Sequence, residues 1–140
     1  MNRAVTDSRD IGHTGSCLCG AVAFSINMPL KGVTYCHCSQ CRKQSGIFYA
    51  STNVPLSGFT LTRHDGLAWY AASDIARRGF CKDCGSFLFW QANGSDRIAV
   101  SAGALDMPTG LEAERHIFVD DKADFYDIAD DLPQFAQSNS

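Results

Sequence analysis

Long apolar runs are missing from this sequence. The longest uninterrupted one, Leu67 to Ala72, has six residues, far short of the roughly 20 that a membrane helix needs. The start of the chain has no apolar segment either, because Asn2, Arg3, Asp7, Arg9 and Asp10 break up any hydrophobic region of a secretory signal. The expectation is a chain without a membrane partner in a reducing cytoplasm. Basic excess is absent as well: the formal net charge is −3, which disfavours nucleic acid as a partner. Charged residues make up only 19%, yet 45% hydrophobic and 11% aromatic content argue against disorder. No stretch sustains a helical apolar period beyond two turns, so an all-helical fold is excluded. What the chain does have is cysteine. Seven of them stand among 140 residues, an odd number that prevents complete intramolecular disulfide pairing. At this density in a reducing compartment they point to metal.

One domain fits the length, and a fold of this size hides roughly two-thirds of its extended-chain surface. Residues 1 to 13 are polar and without periodicity, and read as a flexible leader. Beyond Gly15–Gly20, Val22, Phe24 and Ile26 alternate with Ala21, Ala23 and Ser25, the period of a half-buried strand. Further strand-like runs fall at 32–38, 47–54, 59–63, 67–72, 86–91, 97–101 and 115–119, with turn chemistry at Gly58, Asp65-Gly66, Asn93-Gly94 and Pro108-Thr109-Gly110. Short helical turns are expected near 39–44 and 128–134. The fold class is mainly β. Charge is uneven: residues 1–105 carry +4 and residues 106–140 carry −7, the latter reading as a solvated final segment.

The cysteines form three clusters, Cys17-x-Cys19, Cys36-x-Cys38-x-x-Cys41 and Cys81-x-x-Cys84. On a strand, residues i and i+2 share a face, so each Cys-x-Cys pair can aim two sulfurs at one point. Cys81-Lys82-Asp83-Cys84-Gly85 has zinc-knuckle spacing, with Gly85 free to take a positive φ. A closed zinc site uses four protein ligands and a catalytic one uses three plus an open position. Seven divides accordingly. Cys17, Cys19, Cys81 and Cys84 are assigned to a structural Zn2+, and Cys36, Cys38 and Cys41 to a second, open Zn2+. The competing readings are one structural zinc with three spare thiols, an iron–sulfur cluster, whose ferredoxin spacings do not match, and a redox Cys-x-x-Cys, which lacks a surrounding βαβ pattern.

Three thiolates leave the open site formally at −1, a poor activator of water but a natural place for an external thiol. Arg42, Lys43, Arg77, Arg78 and Lys82 flank the cysteines and can balance the metal sites, and the first four can hold the carboxylates of a small anionic thiol. Backbone N–H groups at Ser45 and Gly46 are candidates to cradle a carboxylate or oxyanion. His37 is expected to face away from the metal, as a packing or hydrogen-bonding residue, and His116 to be structural. Trp69, Tyr70, Phe87, Phe89 and Trp90 read as core or pocket wall. Ser16 and Ser86 are placed to hydrogen-bond thiolates.

The runs Gly15-Ser-Cys-Leu-Cys-Gly-Ala-Val, Cys36-His-Cys-Ser-Gln-Cys-Arg-Lys-Gln-Ser-Gly and Arg78-Gly-Phe-Cys-Lys-Asp-Cys-Gly-Ser resemble the glutathione-dependent formaldehyde-activating enzymes. Gly103-Ala-Leu-Asp, His116-Ile-Phe-Val, Lys122-Ala and Leu132-Pro-Gln-Phe fit further on. The resemblance covers residues 14–135 as one zinc-binding domain, leaving 136–140 as a tail. It implies a fold of several short antiparallel sheets with zinc sites, shared with small zinc-bearing chaperones of Rab GTPases (the Mss4-like fold) and related to centromere protein V. It also implies the same division of ligands, with Cys36, Cys38 and Cys41 as the catalytic set; beside them Arg42, by its charge, and Ser45 and Gly46, by their backbone N–H groups, are expected as substrate contacts. The implied activity is that of a carbon–sulfur lyase, joining formaldehyde or a similar electrophile to a zinc-bound thiol such as glutathione to give S-hydroxymethylglutathione. The alternative is a non-enzymatic, zinc-stabilised binding module of the same fold.

Overall fold

In the computed structural model, residues 12–138 are described. Among these residues ten strands, β1 (His13–Ser16), β2 (Ala23–Ile26), β3 (Val33–Cys36), β4 (Tyr49–Pro55), β5 (Phe59–Arg63), β6 (Leu67–Tyr70), β7 (Ala76–Cys81), β8 (Phe87–Ala92), β9 (Arg97–Ser101) and β10 (Ala113–Ile117), accompany one α-helix, α1 (Ser39–Ser45). The fold is mainly β, in two sheets. A three-stranded antiparallel sheet runs β1-β2-β5, and a seven-stranded sheet runs β10-β3-β4-β9-β8-β7-β6. Every pairing is antiparallel except β10 with β3. No described helix is long and apolar enough to cross a membrane.

The alternation after Gly20 sets the core. Val22, Phe24 and Ile26 are buried, and they meet Leu88, Phe89, Ile98 and Val100 of the larger sheet. Phe24 lies edge-on to Phe89 with ring centroids 5.5 Å apart, and Phe59 does the same at 5.3 Å. Each such side chain contributes about 1.5–3 kcal/mol by leaving water. These contacts join the two sheets.

The strand-like runs all became strands, with ends moved by at most two residues; 59–63 and 97–101 match β5 and β9. Two strands have no counterpart in the sequence reading. β1 opens at His13, inside the span read as leader, whose residues 1–11 lie outside the described residues. β7 carries two arginines and a glycine, and its inward side includes Arg78 where an apolar residue is expected. The helical turn expected at 39–44 is α1. The turn expected at 128–134 is not helical. That segment is extended beside β10, with His116 N–H donating to Pro133 O and Phe135 N–H to His116 O, both at 2.9 Å. Pro133 explains the difference, because it biases Leu132 towards extended backbone and offers no N–H of its own. Residues 136–138 of the expected tail are described, and Phe118 N–H donates to Gln137 O at 2.9 Å; residues 139–140 lie outside.

Candidate functional site

The structure brings the seven cysteines into two groups, Cys17/Cys19/Cys81/Cys84 and Cys36/Cys38/Cys41, with the sulfurs of each group within 4.8 Å of one another. Four sulfurs ~2.3 Å from a tetrahedral ion sit about 3.8 Å apart. In the first group Cys17 and Cys19 are 3.8 Å apart, and Cys19 and Cys81 3.7 Å. Thiolate donors at this spacing fit zinc.

The first group is assembled by turns. Cys17 and Cys19 lie in the turn after β1, not on a strand as expected, and Gly20 N–H donates to Cys17 O at 3.3 Å. Cys81 ends β7, and the chain reverses so that Gly85 N–H reaches Cys81 O at 2.8 Å. Gly85 takes φ 81° there, the left-handed region that favours glycine. Hydrogen bonds then reach the sulfurs: Val22 N–H donates to Cys17 Sγ at 3.3 Å, and the Ser86 hydroxyl lies 3.2 Å from Cys84 Sγ. That hydroxyl and the Ser86 and Cys19 backbone N–H groups bring the Cys84 thiol down to about 5. Gly66 closes the site from behind, since a Cβ there would lie 2.9 Å from Cys81 Sγ.

The second group sits where β3 runs into α1. Cys36 ends β3, Cys38 caps the helix, and Cys41 is buried in its first turn. Cys38 Sγ accepts the Cys41 N–H at 3.3 Å, so the helix cap and the ligand are one atom. Hydrogen bonds from the Cys36 and Cys41 thiols hold Cys38 well below the ordinary thiol range, while sharing with Cys38 pushes Cys36 up. Arg78 is buried beside it, 4% exposed, and donates from Nη1 and Nη2 to Cys41 Sγ at 3.5 and 3.6 Å and from Nη1 to Gln44 Oε1 at 3.2 Å.

The three cysteines open onto a cavity of about 660 Å³, whose lining includes Arg78, Tyr49 and Trp90 near the larger sheet and Lys31, Arg97 and Arg115. Arg97 Nε donates to Asn53 Oδ1 in the same wall. Arg42, Ser45 and Gly46, expected as substrate contacts, do not line this cavity. Ser45 Oγ donates to Cys41 O at 2.6 Å and Gly46 N–H closes the helix onto Arg42 O at 2.8 Å. Arg77 is not at the metal groups either: it stacks on Trp69 at 3.8 Å and donates to Gln91. Trp90 is pocket wall and Phe89 is core, whereas Tyr70 is exposed.

His37 turns away from the cysteines on either side of it. Its Nδ1 lies 2.5 Å from Tyr126 Oη and its Nε2 2.9 Å from His116 Nδ1, and His116 Nε2 lies 3.0 Å from Asp130. One tautomer set satisfies the chain: Tyr126 O–H to His37, His37 N–H to His116, His116 N–H to Asp130. Burial first, together with the nearby Lys122 charge, pushes His37 down to about 4, so it is neutral at pH 7. Lys31, Arg97, Arg115, Tyr126 and Asp130 had no motif to mark them in the sequence.

A family model described as glutathione-dependent formaldehyde-activating enzyme matches residues 12–121. An uncharacterised lyase of Schizosaccharomyces pombe is 27% identical over 127 residues, covering 88% of this chain and 90% of that protein. A Halomonas elongata protein that carries the family's name is 30% identical over 124 residues, 81% of this chain and 79% of its own length. A crystal structure of a Rhodobacter sphaeroides protein superposes with a TM-score of 0.58 at 25% identity, covering 67% of this chain and 88% of that one. With the match running from the first described strand through both cysteine groups, this chain belongs to the glutathione-dependent formaldehyde-activating enzyme family.

Proposed function

We propose that this protein is a zinc-dependent carbon–sulfur lyase, acting in the direction that joins formaldehyde or a similar small electrophile to a thiol such as glutathione. The observation that carries the reading is the three-cysteine group at the mouth of a cavity with cationic walls. A purely structural metal needs neither a free fourth position nor a cavity at it. The function also suits a cytoplasmic setting, where small thiols and these cysteines stay reduced.

Cys36, Cys38 and Cys41 would hold the catalytic ion, and Cys17, Cys19, Cys81 and Cys84 the structural one. Zinc, when bound, favours the thiolate form of a thiol ligand. The rest falls to the chain's own residues. Lys31, Arg97 and Arg115 supply positive charge for the carboxylates of an anionic thiol, and Asn53 fixes Arg97 in place. Tyr49 stays a neutral phenol, because burial raises its pKa. It serves as wall, its hydroxyl already engaged with Leu88 O and Ser101 Oγ. In the reaction a sulfur lone pair attacks the carbonyl carbon, one C–S bond forms, and the proton lost from sulfur ends on the former carbonyl oxygen. Confinement supplies much of the acceleration, since the uncatalysed addition needs two dilute partners to meet.

The test is exchange NMR on formaldehyde mixed with a panel of thiols, with and without protein. Faster adduct exchange with glutathione than in the protein-free mixture is expected, and it should vanish in Cys38→Ser. No acceleration with any thiol would count against the activity while leaving family membership intact.

A further inference from the structure

Arg78 poses an electrostatic problem. Its side chain is 4% exposed, and no carboxylate among the described residues lies within ion-pair distance of it. A buried guanidinium without an anion is strongly unfavourable. Its neutral contacts do not solve this. Gln44 Oε1 accepts one N–H and the Phe87 ring lies 5.6 Å from the guanidinium carbon, while Nε has no partner. Among the described residues, the hydrogen-bond partner of Arg78 that can carry negative charge is the cysteine cluster, through Cys41 Sγ at 3.5 and 3.6 Å from two of its nitrogens.

Three thiolates around a divalent ion sum to −1, so Arg78 brings the unit to zero. A thiolate arriving as fourth ligand then makes the unit −1 with Arg78 in place and −2 without it. A neutral ligand adds no charge in either case. We propose that Arg78 is the built-in counter-cation of the Cys36/Cys38/Cys41 centre and sets its preference for an anionic fourth ligand over a neutral one. The proposal rests on the reading of that group as an open metal centre. It assigns Arg78 to positioning and charge, acting through Cys41 and not on substrate carboxylates. Its Nε has less than 1 Å² of exposed surface and its two Nη atoms are turned to the cluster and to Gln44.

The experiment uses protein loaded with cobalt(II), whose visible spectrum reports each new ligand at the open centre. Three ligands are titrated: 2-mercaptoethanol, which binds as a thiolate and carries no carboxylate; azide, an anion without sulfur; and neutral imidazole. The native protein should take both anions in preference to imidazole. Arg78→Gln should bind both anions about tenfold more weakly, the size of one lost charge-assisted hydrogen bond, with imidazole affinity unchanged. Arg78→Lys, which keeps the charge, should recover most of the preference and guards against a Gln variant that folds poorly. Equal anion affinity in native protein and Arg78→Gln, or a parallel loss of all three ligands that Arg78→Lys does not rescue, would overturn the assignment. Native protein that prefers azide but takes no thiol would sink the thiol chemistry and uphold the role of Arg78. A native preference for imidazole over both anions would overturn both.

Discussion

Arg78 and Gly66 show how single residues govern the two metal groups from outside the ligand set. Neither is a cysteine, yet one faces Cys41 Sγ and the other backs Cys81 Sγ. A Cβ at Gly66 would stand 2.8 Å from Ala21 Cβ and 2.9 Å from Cys81 Sγ, closer than carbon and sulfur tolerate. Overpacking of this kind costs roughly 1–3 kcal/mol. Gly66→Ala should therefore speed zinc release to a chelator from one of two sites and lower the melting temperature, leaving release from the other site unchanged. Equal release from both sites would contradict the placement of Gly66. The convergence of the seven cysteines was legible in the sequence because cysteine spacing encodes it directly. Gly66 was read only as a turn residue, since what it avoids touching is set by chain folding elsewhere.

At the scale of elements, legibility followed hydrophobic period. Val22, Phe24 and Ile26 announced β2, whereas β7 was hidden because its inward positions include Arg78 and Gly79. The rule broke where function put a charge into the sheet. The ligand turns tell a similar story: convergence of Cys17 with Cys19 was anticipated, but it arises from a turn and not from strand alternation. The final segment is largely exposed, as expected, but the helical turn read into it is absent. Its extended backbone pairs with β10, and Asp130 accepts from His116, linking it to His37 between two ligands. The Leu132 N–H, followed by His116, holds the Asp130 carboxyl below its ordinary value of 3.8. The folded state then binds fewer protons than the unfolded one just below that value, so stability rises with pH there. The contribution is full above pH 3.8 and fades as pH falls through the lower, folded value. Accordingly, the excess melting temperature of native protein over Asp130→Asn should be constant near neutrality and shrink at the acid end. A gap that grows on acidification would refute this docking of the tail.

Across the whole molecule, the two cysteine groups sit at different places in the topology. The Cys17–Cys19 turn leaves the three-stranded sheet and the Cys81–Cys84 turn joins β7 to β8 in the larger one, so a metal there staples the sheets. Structural zinc carries an apparent ~10–16 kcal/mol in small zinc-binding peptides, comparable with the ~5–15 kcal/mol that stabilises a whole domain. Cys84→Ser should thus abolish cooperative thermal unfolding. Cys38→Ser, at a group contained within one β3–α1 junction, should leave a cooperative transition. The grouping of the seven cysteines into a four and a three was foreseeable from their count, but the two-sheet architecture and the cavity were not, because Lys31, Arg97 and Arg115 come from segments that only folding brings together.

The central claim is that a second, open metal centre exists beside the structural one, and metal content measures it most directly. Mass spectrometry under native conditions, with elemental zinc analysis of the same sample, should find two zinc ions per folded chain. Cys38→Ser should hold one and remain folded. Native protein that stays folded with a single zinc, unchanged by Cys38→Ser, would contradict the account.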